Sequence, residues 1–200
     1  MRVGICGGIG SGKSTVCDMF ASCGAAVYSS DERAKALMEH DAELRRALVE
    51  AFGEECFGEG GLNRQFLAGE VFGCEERLAL LNSIVHPAVR RDFEAWAEAQ
   101  QSDYVILESA ILFESGFDAL VDCSVAVLAP RALRLQRAMS RDGASREAVE
   151  ARMAAQMSDD ELLARATFSI VNFELEDVQK DVAELNHRFV VMAKKEAHNE

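Results

Sequence analysis

Short apolar runs alternate with longer amphipathic stretches along this chain of 200 residues. The apolar runs lack internal polar alternation, which is typical of strands buried on both faces of a parallel sheet. The predicted strands are Arg2–Cys6, Ala25–Ser29, Tyr104–Glu108, Cys123–Leu128 and Phe168–Val171. Between them the apolar positions recur at helical spacing, as Val16, Met19 and Phe20 do within the predicted helix Thr15–Ala21. This alternation predicts an α/β fold, a parallel sheet flanked by helices.

A glycine-rich turn follows the first predicted strand. It reads Gly7-Gly8-Ile9-Gly10-Ser11-Gly12-Lys13-Ser14, which is the G-x-x-x-x-G-K-S pattern of a phosphate-binding loop, or P-loop. The order of strand, turn and helix is the one the motif requires, because backbone N–H groups and the helix N-terminus together bind the anion. We therefore predict a P-loop NTPase-type fold, with Lys13 at the β- and γ-phosphates and the Ser14 hydroxyl on Mg²⁺.

Two helical regions interrupt the predicted core, which comprises residues 1–29, 103–129 and 166–200. The first, about 30–102, carries helical patterns broken by a polar, glycine-rich stretch, and by analogy with small kinases we expect it to bind the second substrate. Its predicted helices are Arg33–Met38, Ala42–Phe52, Arg64–Phe72 and Glu75–Gln101. The second, about 130–158, contains Pro130–Asp142 and Ser145–Gln156 and is predicted to be a lid. We expect the lid to move about hinges near Ala129 and Ser158.

Composition narrows the functional classes. The net charge of −13 argues against broad nucleic-acid binding, which needs a basic face. If the substrates are anions, the positive charges that bind them must be concentrated at the site. Six arginines do cluster in one stretch of the sequence: Arg131, Arg134, Arg137, Arg141, Arg146 and Arg152. The six cysteines lack metal-site or C-x-x-C spacing and indicate small core residues or free thiols. No apolar run reaches the roughly 18–20 residues of a membrane helix, and the chain opens on the P-loop strand, so we expect a cytoplasmic protein.

Several further segments, taken in order, resemble the dephospho-coenzyme A kinase family. After the P-loop and Thr15 they are Ser30-Asp31, Val85-His86-Pro87, Leu112-Phe113-Glu114, Arg137-x-x-x-Arg141-Asp142-Gly143, Arg152, Ala155-Gln156 and Ile170-Val171-Asn172. The chain departs from the family where Ser29-Ser30-Asp31 replaces Asp-x-Asp, where Glu108-Ser109-Ala110 lacks a proline, and where Asn172-Phe173-Glu174 lacks a glycine.

The resemblance implies phosphorylation of the ribose 3′-hydroxyl of dephospho-coenzyme A by ATP, with Mg²⁺. It implies dephospho-coenzyme A and ATP as partners, no nucleic acid, no membrane, and a monomer or weak homo-oligomer. The implied catalytic residues are Asp31, Lys13 and Arg141. The implied ATP contacts are Gly8, Ile9, Gly10, Ser11, Gly12, Lys13, Ser14, Thr15, Arg141 and Asn172. The implied substrate contacts are Asp31, His86, Glu108 and Arg137, and the implied metal ligand is Ser14.

Structural alternatives stand beside these roles. Asp31 is also a preferred N-cap for the helix after the second strand, and Glu108 could simply pair with a nearby cation. Arg137 and Arg141 lie four residues apart, which suits a lid that grips phosphates but also an ordinary solvated helix. His86 could merely begin a helix at Pro87, a good first helical residue.

Three other functions compete. Another P-loop kinase acting on a nucleoside, shikimate or gluconate would share the fold. A guanine-nucleotide switch would carry N-K-x-D and D-x-x-G, and the sequence contains neither. A catalytically inactive scaffold is disfavoured because Lys13, Asp31 and Arg141 are all present.

Overall fold

The computed structural model describes residues 1–196, so residues 197–200 of the predicted core lie outside the described residues. The strands are β1 (Arg2–Cys6), β2 (Ala26–Ser29), β3 (Phe57–Gly58), β4 (Gly61–Leu62), β5 (Val105–Glu108), β6 (Cys123–Leu128) and β7 (Phe168–Val171). The helices are α1 (Lys13–Ser22), α2 (Ser30–His40), α3 (Ala42–Phe52), α4 (Arg64–Val71), α5 (Glu75–Glu98), α6 (Arg131–Asp142), α7 (Arg146–Ala154), α8 (Asp159–Arg165) and α9 (Leu175–Glu196). Short 3₁₀ turns occupy Glu54–Cys56 and Phe117–Leu120.

The chain divides into two compact units. The first combines Met1–Ser29 with the chain from Ala99 onward, and the second is Ser30–Glu98. The first unit holds a five-stranded parallel sheet in the order β2-β5-β1-β6-β7. The prediction of a parallel α/β sheet is confirmed. Three strands have the predicted bounds, while β2 and β5 begin one residue later than expected.

The central strand β1 pairs on both sides, with Val3 opposite Ile106 of β5 and Cys123 of β6. Because all five strands are parallel, their carboxyl ends meet at one edge of the sheet, where ligands bind in folds of this type. The loop after β1 and the last residue of β5, Glu108, therefore lie at this edge. Their position follows from the sheet order rather than from their own sequence.

Helices α1 and α9 pack against apolar residues of the sheet. Helix α1 buries Val16, Cys17 and Phe20, and Met19, the other residue of the predicted apolar spacing, is partly buried against the same core. The Phe189 ring of α9 lies 6.0 Å from that of Phe20, and it also meets the rings of Tyr104 and Phe168. The interpretation of cysteines as core residues holds for Cys6, Cys17, Cys56 and Cys123, which are buried. Burial raises the pKa of the Cys6 thiol to about 12, so it stays protonated at neutral pH.

The predicted helical hairpin is present in the first unit as α6 and α7. Helix α6 ends at Asp142, and Gly143, with a φ of 61° in the left-handed region, follows as its cap. Helix α7 begins after Ser145, whose hydroxyl accepts from the Ala148 N–H, and it ends at Ala154, two residues before the predicted end. Helix α8 was not predicted, although Ser158 and Glu161 form the capping box that marks its start.

The second unit contains α2 to α5 and a minimal hairpin of β3 and β4. Arg33 of α2 makes two hydrogen bonds, of 2.9 and 2.7 Å, to the carboxylate of Asp92 on α5. Arg77 of α5 pairs with Glu70 of α4. These pairs, with buried apolar residues such as Leu48, Val89 and Phe93, hold the helices together.

Several predicted bounds in this unit were wrong. Helix α2 begins at Ser30 rather than Arg33, α4 ends at Val71 rather than Phe72, and α5 ends at Glu98 rather than Gln101. The polar, glycine-rich stretch before Leu62 is ordered into the 3₁₀ turn and the hairpin. Its apolar residues are too few for periodicity to reveal strands of two residues. Within residues 1–196, none of the helices is long and apolar enough to cross a bilayer.

Candidate active site

The P-loop links β1 to α1 through glycines that other residues could not replace. Gly10 and Gly12 have φ values of 75° and 88°, in the left-handed region that favours glycine. A Cβ on Gly10 would lie 2.2 Å from the carbonyl oxygen of Arg134. A Cβ on Gly12 would lie 1.9 Å from Nδ2 of Asn172. The turn is therefore fixed both by its own dihedral angles and by neighbours that approach its backbone closely.

Two backbone N–H groups of the loop already have partners within the protein. The Ile9 N–H donates to Gln156 Oε1 at 2.7 Å, and the Ser11 N–H donates to the Gly8 carbonyl at 3.1 Å. The first N–H groups of any α-helix precede its intrahelical acceptors, and the first intrahelical bond of α1 runs from the Val16 N–H to the Gly12 carbonyl. Anion binding is thus favoured at the start of α1, where the helix dipole adds partial positive charge.

Asn172, the predicted ATP contact after β7, supports the loop directly. Its Nδ2 donates to the Ser11 carbonyl at 2.9 Å, and its own N–H donates to the Leu128 carbonyl at 2.7 Å. Arg137 Nη1 donates to the Asn172 carbonyl at 3.4 Å. The structure therefore brings together Ser11, Arg137 and Asn172, all predicted site residues. The next residue, Phe173, leaves 59% of its surface exposed.

Lys13 lies over the loop that it ends. Its Nζ donates to the Gly7 carbonyl at 2.8 Å, so the ammonium is held above the turn rather than extended into solvent. Ser14 and Thr15 follow in the first turn of α1, and both are exposed. A hydroxyl and an ammonium at a helix N-terminus provide complementary contacts for a triphosphate and its metal.

Glu108 ends β5 beside the central strand, where it pairs in register with Ile5. Only 8% of the residue is exposed, and Oε2 accepts a hydrogen bond of 2.9 Å from Ser29 Oγ. Burial, and to a smaller extent the negative charge of Glu108, raises the pKa of the Cys17 thiol on α1. A fixed carboxylate and the Ser14 hydroxyl are oxygen donors of the kind Mg²⁺ prefers, so the residues fit this metal.

Carboxylates pair with four of the six clustered arginines. Arg141 makes a forked contact with Asp142, Nε to Oδ1 at 2.7 Å and Nη2 to Oδ2 at 3.2 Å, while 65% of its side chain remains exposed. Arg152 Nη2 reaches the same carboxylate at 2.9 Å. These arginines hold the pKa of Asp142 down at about 2. Arg131 pairs with Glu150 and Arg134 with Asp159.

The partner of the Arg141 guanidinium in this structure is Asp142. The pair shows that the Arg141 guanidinium can grip two oxygens of one anionic group at once, which is the property the sequence analysis assigned to it. The arginine cluster offers a substrate less positive charge than the number of arginines suggests, because Asp142 neutralises part of the charge of Arg141 and Arg152.

Asp31 and His86 belong to the second unit. Asp31 is exposed in the first turn of α2, just inside the helix rather than at its cap. His86 lies in the middle of α5, as the predicted long helix implied, and the alternative in which Pro87 begins a helix is wrong: Pro87 is an internal proline. Burial, with a smaller contribution from Arg90, lowers the pKa of His86. A partly buried imidazole that is neutral at physiological pH can donate or accept a hydrogen bond.

Sequence reasoning missed three residues around the loop: Arg134, Gln156 and Asp159. Arg134 was counted only as one of the clustered arginines, and Gln156 only as part of a resembling segment. An arginine that will be buried looks the same in sequence as one that will be solvated. The capping-box pattern at Ser158 could have placed Asp159 at a helix start, but not beside Arg134.

Comparison with known proteins decides the family. The sequence model of the dephospho-CoA kinase family matches residues 1–177. The chain belongs to the dephospho-CoA kinase family. A dephospho-CoA kinase from Salinibacter ruber is 45% identical over 188 residues, covering 92% of this chain and 94% of the relative. Both the suspected resemblance and the predicted class of enzyme, a kinase that transfers phosphate to an alcohol, are confirmed.

Solved structures agree with this assignment. TT1252 from Thermus thermophilus superposes with a TM-score of 0.81 at 36% identity, covering 92% of this chain and 95% of that one. A dephospho-CoA kinase from Campylobacter jejuni has a TM-score of 0.66 at 25% identity, covering 94% and 96% of the two chains. Membership of the dephospho-CoA kinase family makes this protein an ATP-dependent enzyme of coenzyme A biosynthesis.

Proposed function

We propose that this protein transfers the γ-phosphoryl group of ATP to the ribose 3′-hydroxyl of dephospho-coenzyme A. The observation that carries the proposal is an ordered P-loop at the carboxyl edge of a parallel sheet, in a chain that matches this family over residues 1–177. The hydroxyl oxygen forms a bond to the γ-phosphorus, the bond from that phosphorus to the ADP oxygen breaks, and the hydroxyl proton goes to a carboxylate.

Lys13 and the start of α1 bind the triphosphate in this proposal. Phosphoryl transfer depends mainly on positioning and on neutralising charge in the transition state. The Lys13 ammonium, already held over the loop by the Gly7 carbonyl, supplies a positive charge at the transferring group. The N–H groups from Lys13 to Thr15 supply preorganised donors. Gly8, Ile9, Gly10, Ser11 and Gly12 shape the backbone that presents them.

Ser14 would hold Mg²⁺, with Glu108 as an oxygen donor nearby. Mg²⁺, when bound, neutralises charge on the phosphate oxygens. Glu108 is suited to this role because its hydrogen bond from Ser29 fixes the carboxylate. Asn172, the predicted ATP contact, also keeps the Ser11 segment in place through its side-chain amide. Arg137, whose Nη1 donates to the Asn172 carbonyl, stays a predicted substrate contact beside it.

Asp31 is the proposed general base. It orients the ribose hydroxyl and takes its proton as the new oxygen–phosphorus bond forms. Its place in the chain supports this role, since it follows β2 by two residues and β2 ends at the carboxyl edge of the sheet. We propose that the second unit, which carries Asp31 and His86, binds dephospho-coenzyme A, and that His86 contacts this substrate.

The segment of about 130–158 is the proposed lid, and Arg141 is its phosphate-binding residue. The guanidinium would exchange the Asp142 carboxylate for phosphate oxygens of similar geometry. The cytoplasmic location, the absence of nucleic-acid partners, and the monomeric or weakly oligomeric state stay predictions.

A coupled assay of ADP release tests the proposed reaction. With ATP and Mg²⁺, dephospho-coenzyme A should support turnover, whereas adenosine, shikimate and gluconate should not. The product should carry one added phosphate at the ribose 3′ position, identified by its NMR spectrum. Turnover of shikimate or gluconate at a comparable rate, without turnover of dephospho-coenzyme A, would assign the protein to another class of small-molecule kinase.

Replacing Arg141 with lysine should lower kcat about 10- to 100-fold, as expected for loss of a charge-assisted hydrogen bond. Lysine keeps the charge but offers a point contact in place of a planar fork. Steady-state kinetics of Arg141→Lys should be compared with Arg131→Lys, because Arg131 lies on the same helix and pairs only weakly with Glu150 at 3.5 Å. A full rate for Arg141→Lys would mean that positive charge alone is sufficient.

A further inference from the structure

The peptide groups of Ile9, at the tip of the P-loop, are held from two sides. The Ile9 N–H donates to Gln156 Oε1 at 2.7 Å, and the Ile9 carbonyl accepts from Arg134 Nε at 3.1 Å. Arg134 lies in α6, and Gln156 follows α7 by two residues. Both ends of the lid hairpin therefore bond to one residue of the phosphate-binding loop.

The Ile9 side chain belongs to the apolar core of the hairpin. It packs against a cluster of buried residues from both lid helices, Leu135, Ala138 and Val149. A residue of the loop thus serves as part of the core of the lid. Apolar burial and two backbone hydrogen bonds act on the same residue, so moving the base of the hairpin would displace the loop as well.

Arg134 is the centre of this arrangement. Only 5% of its surface is exposed, and Nη1 contacts Asp159 Oδ1 at 2.5 Å while Nε binds the loop. A Cβ on Gly8 would lie 1.9 Å from Arg134 Nη2. The loop backbone is therefore folded closely around this guanidinium. A buried cation is stable only when it is paired and hydrogen-bonded, and Asp159 and Ile9 meet both needs.

We propose that Arg134, Gln156 and Asp159 are positioning residues that form a clamp on Ile9, setting the affinity of the P-loop for the triphosphate. The clamp aligns the N–H donors at the start of α1 before the anion arrives, so less conformational freedom is lost on binding. It also anchors the lid hairpin to the loop, through Arg134 on one side and Gln156 on the other. The proposal rests on the P-loop as the ATP site.

Gln156→Met tests the clamp, because methionine has a similar length but no oxygen acceptor for the Ile9 N–H. Leaving that donor unpaired should weaken ATP binding about tenfold, measured by calorimetry on the full chain at 25 °C. The affinity for inorganic tripolyphosphate should fall by the same factor, since the clamp acts on the loop and not on the nucleoside. The KM for dephospho-coenzyme A should change less than twofold.

Two further variants, Arg134→Lys and Asp159→Asn, test the other residues of the clamp. Lysine can reach Asp159 or the Ile9 carbonyl but cannot fork between them, and asparagine keeps an acceptor oxygen while losing the charge. Both variants should bind ATP and tripolyphosphate more weakly, by the same factor for the two ligands, and the loss should be smaller in Asp159→Asn. Arg131→Lys, three residues from Arg134 and exposed, should leave both affinities unchanged.

Two results would overturn the clamp. If the clamp variants lowered the melting temperature but kept wild-type affinity for both ligands while folded, the network would be purely structural. If the variants lost affinity for ATP but not for tripolyphosphate, Gln156 would contact the nucleoside instead of positioning the loop. Because binding is measured without turnover, either result stands even if dephospho-coenzyme A proves not to be the acceptor.

Discussion

Lys13→Ala should abolish phosphoryl transfer while the protein stays folded. Removing one preorganised donor at a developing charge typically costs about 10²–10³-fold in kcat, and the P-loop lysine also carries a full positive charge. ADP release with saturating ATP and dephospho-coenzyme A should therefore fall by at least about a hundredfold. The sheet order and the apolar core do not depend on this side chain, whose hydrogen bond goes to a carbonyl of its own loop.

Two controls accompany this variant: a measurement of its melting temperature and the substitution of an exposed lysine. Losing the Lys13–Gly7 hydrogen bond costs about 1 kcal/mol, which for a chain of this size lowers Tm by about 2–4 °C. Lys180→Ala removes an exposed lysine that pairs with Asp177 at 3.0 Å and should change neither kcat nor KM. Near-normal turnover in Lys13→Ala would mean that this loop is not the phosphate-binding site of the enzyme.

The sequence predicted the sheet well because buried parallel strands are continuous apolar runs. Strands such as β6 are buried along their whole length, so nothing in the run resembles a helix. The P-loop was equally visible, since Gly12, Lys13 and Ser14 stand at the positions that the G-x-x-x-x-G-K-S motif requires. Both patterns can be recognised from a few neighbouring residues, because the physical reason for each lies within the segment itself.

Contacts between distant segments were the part that sequence could not supply. Arg134 and Arg141 are both arginines on α6, yet one is buried against Ile9 and the other is exposed beside Asp142. The difference depends on where α8 places Asp159, and α8 itself was missed because it spans only seven residues. Gln156 likewise gains its role from a bond across 147 positions of the chain.

The first turn of α2 contains two adjacent carboxylates, and they allow the role of Asp31 to be isolated. Asp31 and Glu32 are both exposed, and both favour the helix through its N-terminal dipole. Replacing either by its amide removes one negative charge from the same turn, so the two variants should lose similar, small amounts of stability. A purely structural role for Asp31 therefore predicts that the two variants behave alike.

Asp31→Asn should instead lower kcat about 10²–10⁴-fold, the usual cost of removing a general base, whereas Glu32→Gln should keep the wild-type rate. Asparagine preserves the shape of the side chain and can still stabilise a helix start, but it cannot accept the proton of the ribose hydroxyl. The affinity for ATP, measured by calorimetry, should change little in either variant, because the proposed site for the triphosphate is the P-loop and not α2. Equal and near-normal rates in the two variants would leave Asp31 as a residue that stabilises α2 and would require another proton acceptor for the reaction.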